Sequence, residues 1–323
     1  MKAIIVDQAK AMHWQTVDDL EIGNGEIRIK VHATAINRAD LLQRLGFYPP
    51  PAGASPILGL ECAGEVIEIG EGVDQFQIGD HVAALLPGGG YASEVVCVAA
   101  HALKIPAGLD LVQAACLMEV YATAWLNLFQ LAKLEKGDSA LIHAGASGVG
   151  IAAIQLCRHH DVACFVTTGS DEKIAFCQSM GAAGGWNRHS AIDLSTRLRQ
   201  WRSAVDVVLD PVGGSYLDQN IELLAVDGRL VIIGLMGGTE ANLNLRVILS
   251  KRLSLIGSTL RNRNNEAKAS IVNELKQFVW PLIESGKIQI QPFRVFEIEN
   301  VNEAFELVAS NQTLGKVVLT MPT

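Results

Sequence analysis

The residues with the plainest chemical purpose lie in Ala144-Gly-Ala-Ser-Gly-Val-Gly150. This run of small residues joins an apolar, strand-like stretch, Ser139-Ala-Leu-Ile-His143, to Ile151-Ala-Ala-Ile-Gln-Leu156, which continues at helical spacing. Strand, tight turn and helix in that order aim backbone N–H groups and the positive end of a helix dipole at one point, where a pyrophosphate can be held. Glycine suits the turn, because a Cβ would hold the phosphate away. The register Gly148-x-Gly150-x-x-Ala153 satisfies the dinucleotide fingerprint in its Gly-to-Ala variant, and Gly145 and Gly150 complete the candidate turn. Alone the pattern is weak, since small-residue turns also arise wherever a helix packs closely on a strand.

The next stretch bears on which dinucleotide. A NAD site places Asp or Glu on the ribose 2′-hydroxyl about twenty residues past the first glycine. Here that place is taken by Thr167-Thr-Gly-Ser170, with no carboxylate. Lys173 follows one helical turn later and Arg188 lies past the next strand, so two cations could reach a 2′-phosphate, and NADPH is the favoured cofactor. Either cation alone reads equally well as a solvated charge. Asp171 begins a helix, where a carboxylate complements the dipole rather than a ribose.

Such a turn needs a sheet beneath it. The first third of the chain alternates at period two, in Glu26-Ile-Arg-Ile-Lys-Val-His32 and Gly64-Glu-Val-Ile-Glu-Ile69, and is punctuated by Tyr48-Pro-Pro-Pro51 and Pro87-Gly-Gly-Gly90. It reads as a β-rich domain with one short helix, Asn37-Arg-Ala-Asp-Leu-Leu-Gln-Arg44, for which Asn37 is a plausible N-cap. From Leu111 the texture changes. Helices over 112–118 and 122–131 lead into the opening strand, and βα alternation follows: strand 162–166 and helix 172–180, strand 205–209 and helix 216–224, then strands 229–233 and 253–257. Continuous apolar strands alternating with helices predict a doubly wound parallel sheet. The tail predicts one amphipathic helix, 266–284, and short strands at Ile288-Gln-Ile290 and Lys316-Val-Val-Leu319. The fold class is therefore α/β, with residues 119–258 inserted as the dinucleotide domain between 1–118 and 259–323.

Bulk properties agree with a small-molecule enzyme. The 323 residues suffice for two domains, and 49% of them are hydrophobic with few aromatics. A net charge of −8 without a Lys/Arg run argues against nucleic acid and anionic membrane surfaces as partners. Met1-Lys-Ala-Ile-Ile-Val-Asp7 is too short and too soon charged for a signal peptide, and no long uncharged apolar span stands out, so a cytoplasmic protein is expected. The six cysteines, Cys62, Cys97, Cys116, Cys157, Cys164 and Cys177, form no C-x-x-C pair and read as reduced, mostly buried thiols.

Four separated segments resemble one family. Asn37-Arg-Ala-Asp-Leu-Leu-Gln-Arg-Leu-Gly-Phe-Tyr-Pro-Pro-Pro51, Ile57-Leu-Gly-Leu-Glu61, His143-Ala-Gly-Ala-Ser-Gly-Val-Gly150 and Gly234-Leu-Met-Gly-Gly238 are similar to the zinc-free quinone oxidoreductases of the medium-chain dehydrogenase/reductases, nearest their tumour-suppressor-inducible subgroup. The resemblance implies a GroES-like substrate domain, a Rossmann domain, NADPH in the cleft between them, and a homodimer joined through the Rossmann sheet edges. It also implies cofactor contacts: Thr123 near the nicotinamide; Ser147, Gly148 and Val149 at the pyrophosphate; Ser170 and Lys173 at the 2′-phosphate; then Gly234, Leu235, Met236, Leu260, Arg261 and Asn311. Relatives often carry Gly-Phe-Asn-Tyr where this chain has Gly185-Trp-Asn-Arg188, so the contact of Arg188 is inferred rather than matched.

The resemblance also bears on chemistry. Zinc relatives place cysteine in the early loop and histidine before the glutamate, where this chain has Asn37-Arg-Ala-Asp40 and Gly59-Leu-Glu61, so no metal is expected. Hydride addition to a quinone gives a delocalised anion, which positioning and one weak acid can serve. Tyr48 is the candidate acid or orienting donor, against the plainer reading that it packs on its prolines. Asn37 could hold the nicotinamide amide or the substrate oxygen, though N-capping explains it as well. Asp40 reads as a salt-bridge partner of Arg44 one turn on, and His143 as a satisfied core histidine. The expected activity is NADPH-dependent reduction of a small quinone. Reduction of an activated C=C bond in an enone or enoyl thioester is the alternative, and an NADPH-binding structural or RNA-binding protein with little turnover is the reading from another class.

Overall fold

A computed structural model describes residues 1–322. The chain divides into two compact units, Met1–Ala122 with the segment from Arg261 onward, and Thr123–Leu260.

The first unit opens with Lys2–Val6 (β1) and Met12–Thr16 (β2), an antiparallel pair. Its larger sheet uses Glu26–Ala35 (β3), Glu61–Ile69 (β4), His81–Leu85 (β5), Glu94–Val98 (β6) and Ala102–Lys104 (β7). The second unit contributes Ser139–Ile142 (β8), Ala163–Thr168 (β9), Gly184–Asn187 (β10), Val205–Asp210 (β11), Leu224–Ile232 (β12) and Ser254–Gly257 (β13). The tail returns Arg294–Glu297 (β14) and Val317–Thr320 (β15) to the first unit's sheet, whose order is β14-β15-β3-β4-β5-β7 with β6 also paired to β3. In the second unit the order is β10-β9-β8-β11-β12-β13, and every pair is parallel. This is the expected GroES-like unit with a Rossmann-type sheet.

The long strand β3 shows why the first third folds as it does. Ile27, Ile29 and Val31 are buried beside Val66, Val82 and Val95, while Lys30 faces solvent, as period-two alternation requires. Gly64 on β4 is needed for strand approach, because a Cβ there would sit 2.1 Å from the Lys30 carbonyl oxygen. In the second unit, Leu141, Phe165, Val208 and Leu230 from four neighbouring strands share one core with helix residues Leu198 and Ile221.

Several local expectations are corrected. The predicted strand at Ile288-Gln-Ile290 does not form; the paired segments are β14 and β15, and a second tail helix, Val301–Ala309, packs Val301, Ala304 and Phe305 into the core. The two helices predicted at 112–118 and 122–131 form with shifted bounds, as Leu111–Ala114 and a longer run from Met118 to Leu131 with a turn at residues 115–117 between them; taken together, Leu111–Leu131 could cross a membrane by length and composition. It is 72% buried inside the protein, which fits a core helix, and Glu119 interrupts its apolar sequence.

Candidate functional site

The glycine-rich turn stands at the carboxyl end of β8, with helix Gly148–His159 beginning inside it. Ser147 is the N-cap, and its hydroxyl accepts from the Gly150 N–H at 3.1 Å. In the first helical turn the N–H groups of Gly148 and Val149 have no carbonyl one turn back, so they are the donors a phosphate would meet. The other two glycines serve packing. A Cβ on Gly145 would lie 2.6 Å from the Val166 Cβ, and one on Gly150 would lie 2.4 Å from the Gly145 carbonyl oxygen. The turn is thus pressed on β9, and Ala144 takes a left-handed φ of 52° to enter it.

At the end of β9, Ser170 caps helix Asp171–Met180 and accepts from the Lys173 N–H at 3.3 Å. Arg188 follows β10, and its N–H bonds the Thr168 carbonyl at 2.9 Å. Its guanidinium folds back over Gly169, so close that a Cβ there would lie 2.9 Å from Nη2. Ser170 and Arg188 are therefore brought to the same strand ends, with Lys173 in the adjoining turn. Asn187 Nδ2 donates to Asp171 Oδ1 at 3.0 Å, which engages one oxygen of that carboxylate. After β12, Gly234 closes on the Pro211 carbonyl, and Leu235 and Met236 are left 53% exposed. Thr123 and Leu260 belong to this unit as well.

Beneath the turn runs a buried polar chain. His143 Nε2 meets Asn220 Oδ1 at 2.6 Å and Nδ1 meets the Thr167 hydroxyl at 2.9 Å, while Asn220 Nδ2 donates to Asp210 at 2.9 Å. Asp210 also accepts from the Val212 and Gly213 N–H groups. Burial lowers the His143 pKa, so it acts as a neutral strut between β8, β9 and the helix Leu217–Leu223. The satisfied core histidine was the expected reading.

In the first unit, Asn37 precedes helix Arg38–Leu45 and Asp40 accepts from the Asn37 N–H at 2.8 Å. The Asn37 side chain is spent elsewhere, donating to Glu61 Oε1 at 3.0 Å and accepting from Lys316 at 2.7 Å. Lys316 also meets Glu61 Oε1 at 2.8 Å and the Ile36 carbonyl at 3.0 Å, which uses all three ammonium protons. The other Glu61 oxygen accepts from the Glu119 N–H at 3.0 Å. Asp40 is no partner of Arg44, whose Nε bonds the Lys10 carbonyl; it is fully buried and accepts from Tyr91 Oη at 2.9 Å and the Gly59 N–H at 3.2 Å. Burial pushes Asp40 up to about 6 against these hydrogen bonds and the Lys316 charge. Glu119 is pushed up to about 8 by burial and by the neighbouring Glu61 carboxylate. Sequence reasoning gave Lys316, Tyr91 and Glu119 no role; the one visible signal was a lone acid, Glu119, inside an apolar run.

Tyr48 lies half-buried in the loop after that helix, next to exposed Phe47, and Leu42 and Leu45 are exposed on the helix before it. Burial raises its phenol pKa; the Glu119 charge adds to the rise and the Arg261 charge opposes it. Arg261 and Asn311, expected near the cofactor, belong to this unit with Asn37 and Tyr48. Asn311 accepts from Arg38 Nη2 at 2.6 Å. All six cysteines are free and buried. Among the described residues no group of three or more His, Cys, Asp or Glu is placed to hold a metal ion.

Comparison with known proteins adds the family. Residues 23–107 match the alcohol dehydrogenase GroES-like domain and residues 148–277 match the zinc-binding dehydrogenase domain. The chain is 33% identical over 299 residues to the polyketide synthase GfsB of Streptomyces halstedii, covering 92% of this chain but 5% of that protein. It spans 5% to 15% of the length of the curated relatives it matches. Among solved structures, the CurK enoyl reductase superposes with a TM-score of 0.85 at 28% identity over 99% of both chains. The Escherichia coli quinone oxidoreductase complexed with NADPH superposes with a TM-score of 0.87 at 25% identity, over 99% of this chain and 98% of that one. With both domains matched in order along more than half of its residues, the chain belongs to the medium-chain dehydrogenase/reductase superfamily.

Proposed function

We propose that this protein is an NADPH-dependent reductase of carbonyl-conjugated double bonds, acting on an enone or enoyl thioester. The observation that carries the reading is the Asn37–Glu61–Lys316 cluster. It fills the metal-ligand loop of the zinc relatives with a fully bonded ion pair, while Asp40 is committed to Tyr91 and the Gly59 N–H, so that Tyr48, next to exposed Phe47 in the same unit, is the phenol offered to an acceptor oxygen. The similarity to CurK enoyl reductase and to polyketide synthases supports this choice of acceptor. Quinone reduction, the first expectation from sequence, is the second reading, and the likeness to the E. coli quinone oxidoreductase favours it.

The first-turn N–H groups of Gly148 and Val149, with Ser147, fit a pyrophosphate, and Ser170, Lys173 and Arg188 fit a 2′-phosphate where no acid competes for a ribose hydroxyl. When bound, NADPH supplies the hydride. The residues of the chain then handle charge: as the acceptor carbonyl oxygen gains electron density, the Tyr48 hydroxyl donates to it, and apolar neighbours exclude water. Asn37 acts in this scheme by bracing Glu61 and Lys316 rather than by touching the nicotinamide. A homodimer is proposed through the edge of β13, where Leu255 and, on helix Leu245–Lys251, Leu245 and Leu249 are exposed.

The test is steady-state NADPH oxidation against enoyl thioesters, enones, ortho-quinones and para-quinones, with NADH in parallel. A kcat/KM for the enoyl or enone substrates above that for every quinone supports the first reading; the reverse order moves the assignment to quinones. Oxidation of NADPH by none of them would leave the structural or RNA-binding reading.

A further inference from the structure

Arg261 is 4% exposed and begins the segment that returns to the first unit. Its Nε donates to the Pro87 carbonyl at 2.7 Å, its Nη1 reaches the Tyr48 carbonyl at 3.4 Å, and its guanidinium carbon lies 5.4 Å from the Tyr48 ring centroid. One side chain thus ties together two loops that are far apart in sequence. The turn it holds, Pro87-Gly-Gly-Gly90, is itself pressed on the Tyr48 loop: a Cβ at Gly88 would lie 2.5 Å from the Ser55 carbonyl oxygen and 3.1 Å from that of Ile57. Nη2 is buried with no hydrogen-bond partner, and no carboxylate forms an ion pair with the guanidinium among the described residues. A buried donor left unpaired is unfavourable, so the position of the side chain is fixed by its other contacts.

We propose that Arg261 is a positioning residue for Tyr48: it clamps the phenol-bearing loop to the Pro87 turn and sets a fixed positive charge against the ring. The proposal rests on the reading of Tyr48 as the group that meets the acceptor oxygen. It departs from the expectation, drawn from resemblance, that the Arg261 side chain serves the cofactor, since two of its donors are committed to the Pro87 and Tyr48 carbonyls. The charged groups acting on this pair are few. Glu119 bears on both Tyr48 and Arg261, while Asp40 acts on Arg261 alone, and Lys268, itself buried, is a second cation acting on Glu119 and receiving the repulsion of Arg261. Burial and Glu119 make the phenol harder to ionise, and Arg261 is the charge that works the other way. A lysine could supply the charge but not the planar fork that reaches two carbonyls while lying along a ring.

The experiment compares wild type, Tyr48→Phe, Arg261→Met and Arg261→Lys, each checked for folding by circular dichroism and thermal midpoint. Tyrosinate absorbance is titrated in the free protein, with Tyr48→Phe as the blank. NADPH affinity is read from nicotinamide fluorescence, and kcat and KM are measured against pH. Arg261→Met is expected to move the Tyr48 ionisation to higher pH and to lower kcat about tenfold, with NADPH affinity changed by less than about twofold. Arg261→Lys is expected to restore the ionisation but not kcat, and it carries the test if Arg261→Met does not fold. An unshifted Tyr48 ionisation in Arg261→Met overturns the proposal, as does a loss of NADPH affinity as large as the loss of kcat. If Tyr48→Phe keeps full kcat, the acid role of Tyr48 fails, whereas the ionisation shift still decides the clamp.

Discussion

Glu119 is the residue whose position costs the protein most visibly. Its carboxyl titrates at about 8 instead of the ordinary 4.5, because burial and the Glu61 charge both disfavour the carboxylate. A folded-state value raised above the unfolded one means a stabilising contribution that is complete below pH 4.5 and is lost as the pH rises toward 8. Glu119→Gln should therefore unfold at a higher temperature than wild type at pH 8 and lose that advantage toward pH 5, which thermal melts across the range will reveal. An equal offset at every pH would contradict the linkage. At the cofactor end, Arg188→Ala is expected to raise the KM for NADPH about tenfold or more and to leave that for NADH within about twofold, since charge-assisted bonds to phosphate are worth roughly 1.5–3 kcal/mol. Equal losses with both cofactors would remove Arg188 from the 2′-phosphate.

At the scale of elements, β15 matters for what it carries. Lys316 immediately precedes it and enters a site where Ile36, Asn37 and Glu61 supply three acceptors. Cutting one side of a buried ion pair leaves the other charge unpaired, so Lys316→Met should destabilise the fold by about 3–5 kcal/mol, measurable by denaturant unfolding. Adding Glu61→Gln to it should recover part of that loss; no recovery would mean that Lys316 acts through packing alone. The sequence made the period-two alternation of β3 and the strand–turn–helix at Ser139–His159 plain, because each pattern is local. It hid Val301–Ala309 and β14, which are short elements fixed by packing against Tyr91 and by pairing with β15. It also suggested a strand at Ile288, whose apolar side chain is buried without any strand partner. The two helices expected at 112–118 and 122–131 are present with shifted bounds, because the turn between them falls at residues 115–117 and Glu119 lies inside the second helix.

For the molecule as a whole, the edge position of β13 among the described strands, together with exposed Leu245, Leu249 and Leu255 in the same unit, predicts self-association of the second unit's sheet. Light scattering should return about twice the 34.6 kDa chain mass, and Leu249→Lys with Leu255→Lys should return the single mass with cofactor binding retained. A monomeric wild type would remove the dimer. The sequence by itself determined the α/β class, the parallel sheet and the glycine-rich strand–turn–helix, because hydrophobic period and glycine placement are written in neighbouring residues, while the resemblance of four separated segments pointed to the superfamily. Only the tertiary structure decided that Asn37 is committed to Glu61 and Lys316, that Asp40 belongs to Tyr91, and that Arg261 lies against Tyr48. Those partners are 24 to 279 residues apart, and a buried charge chooses its partner by which groups the fold removes from water together.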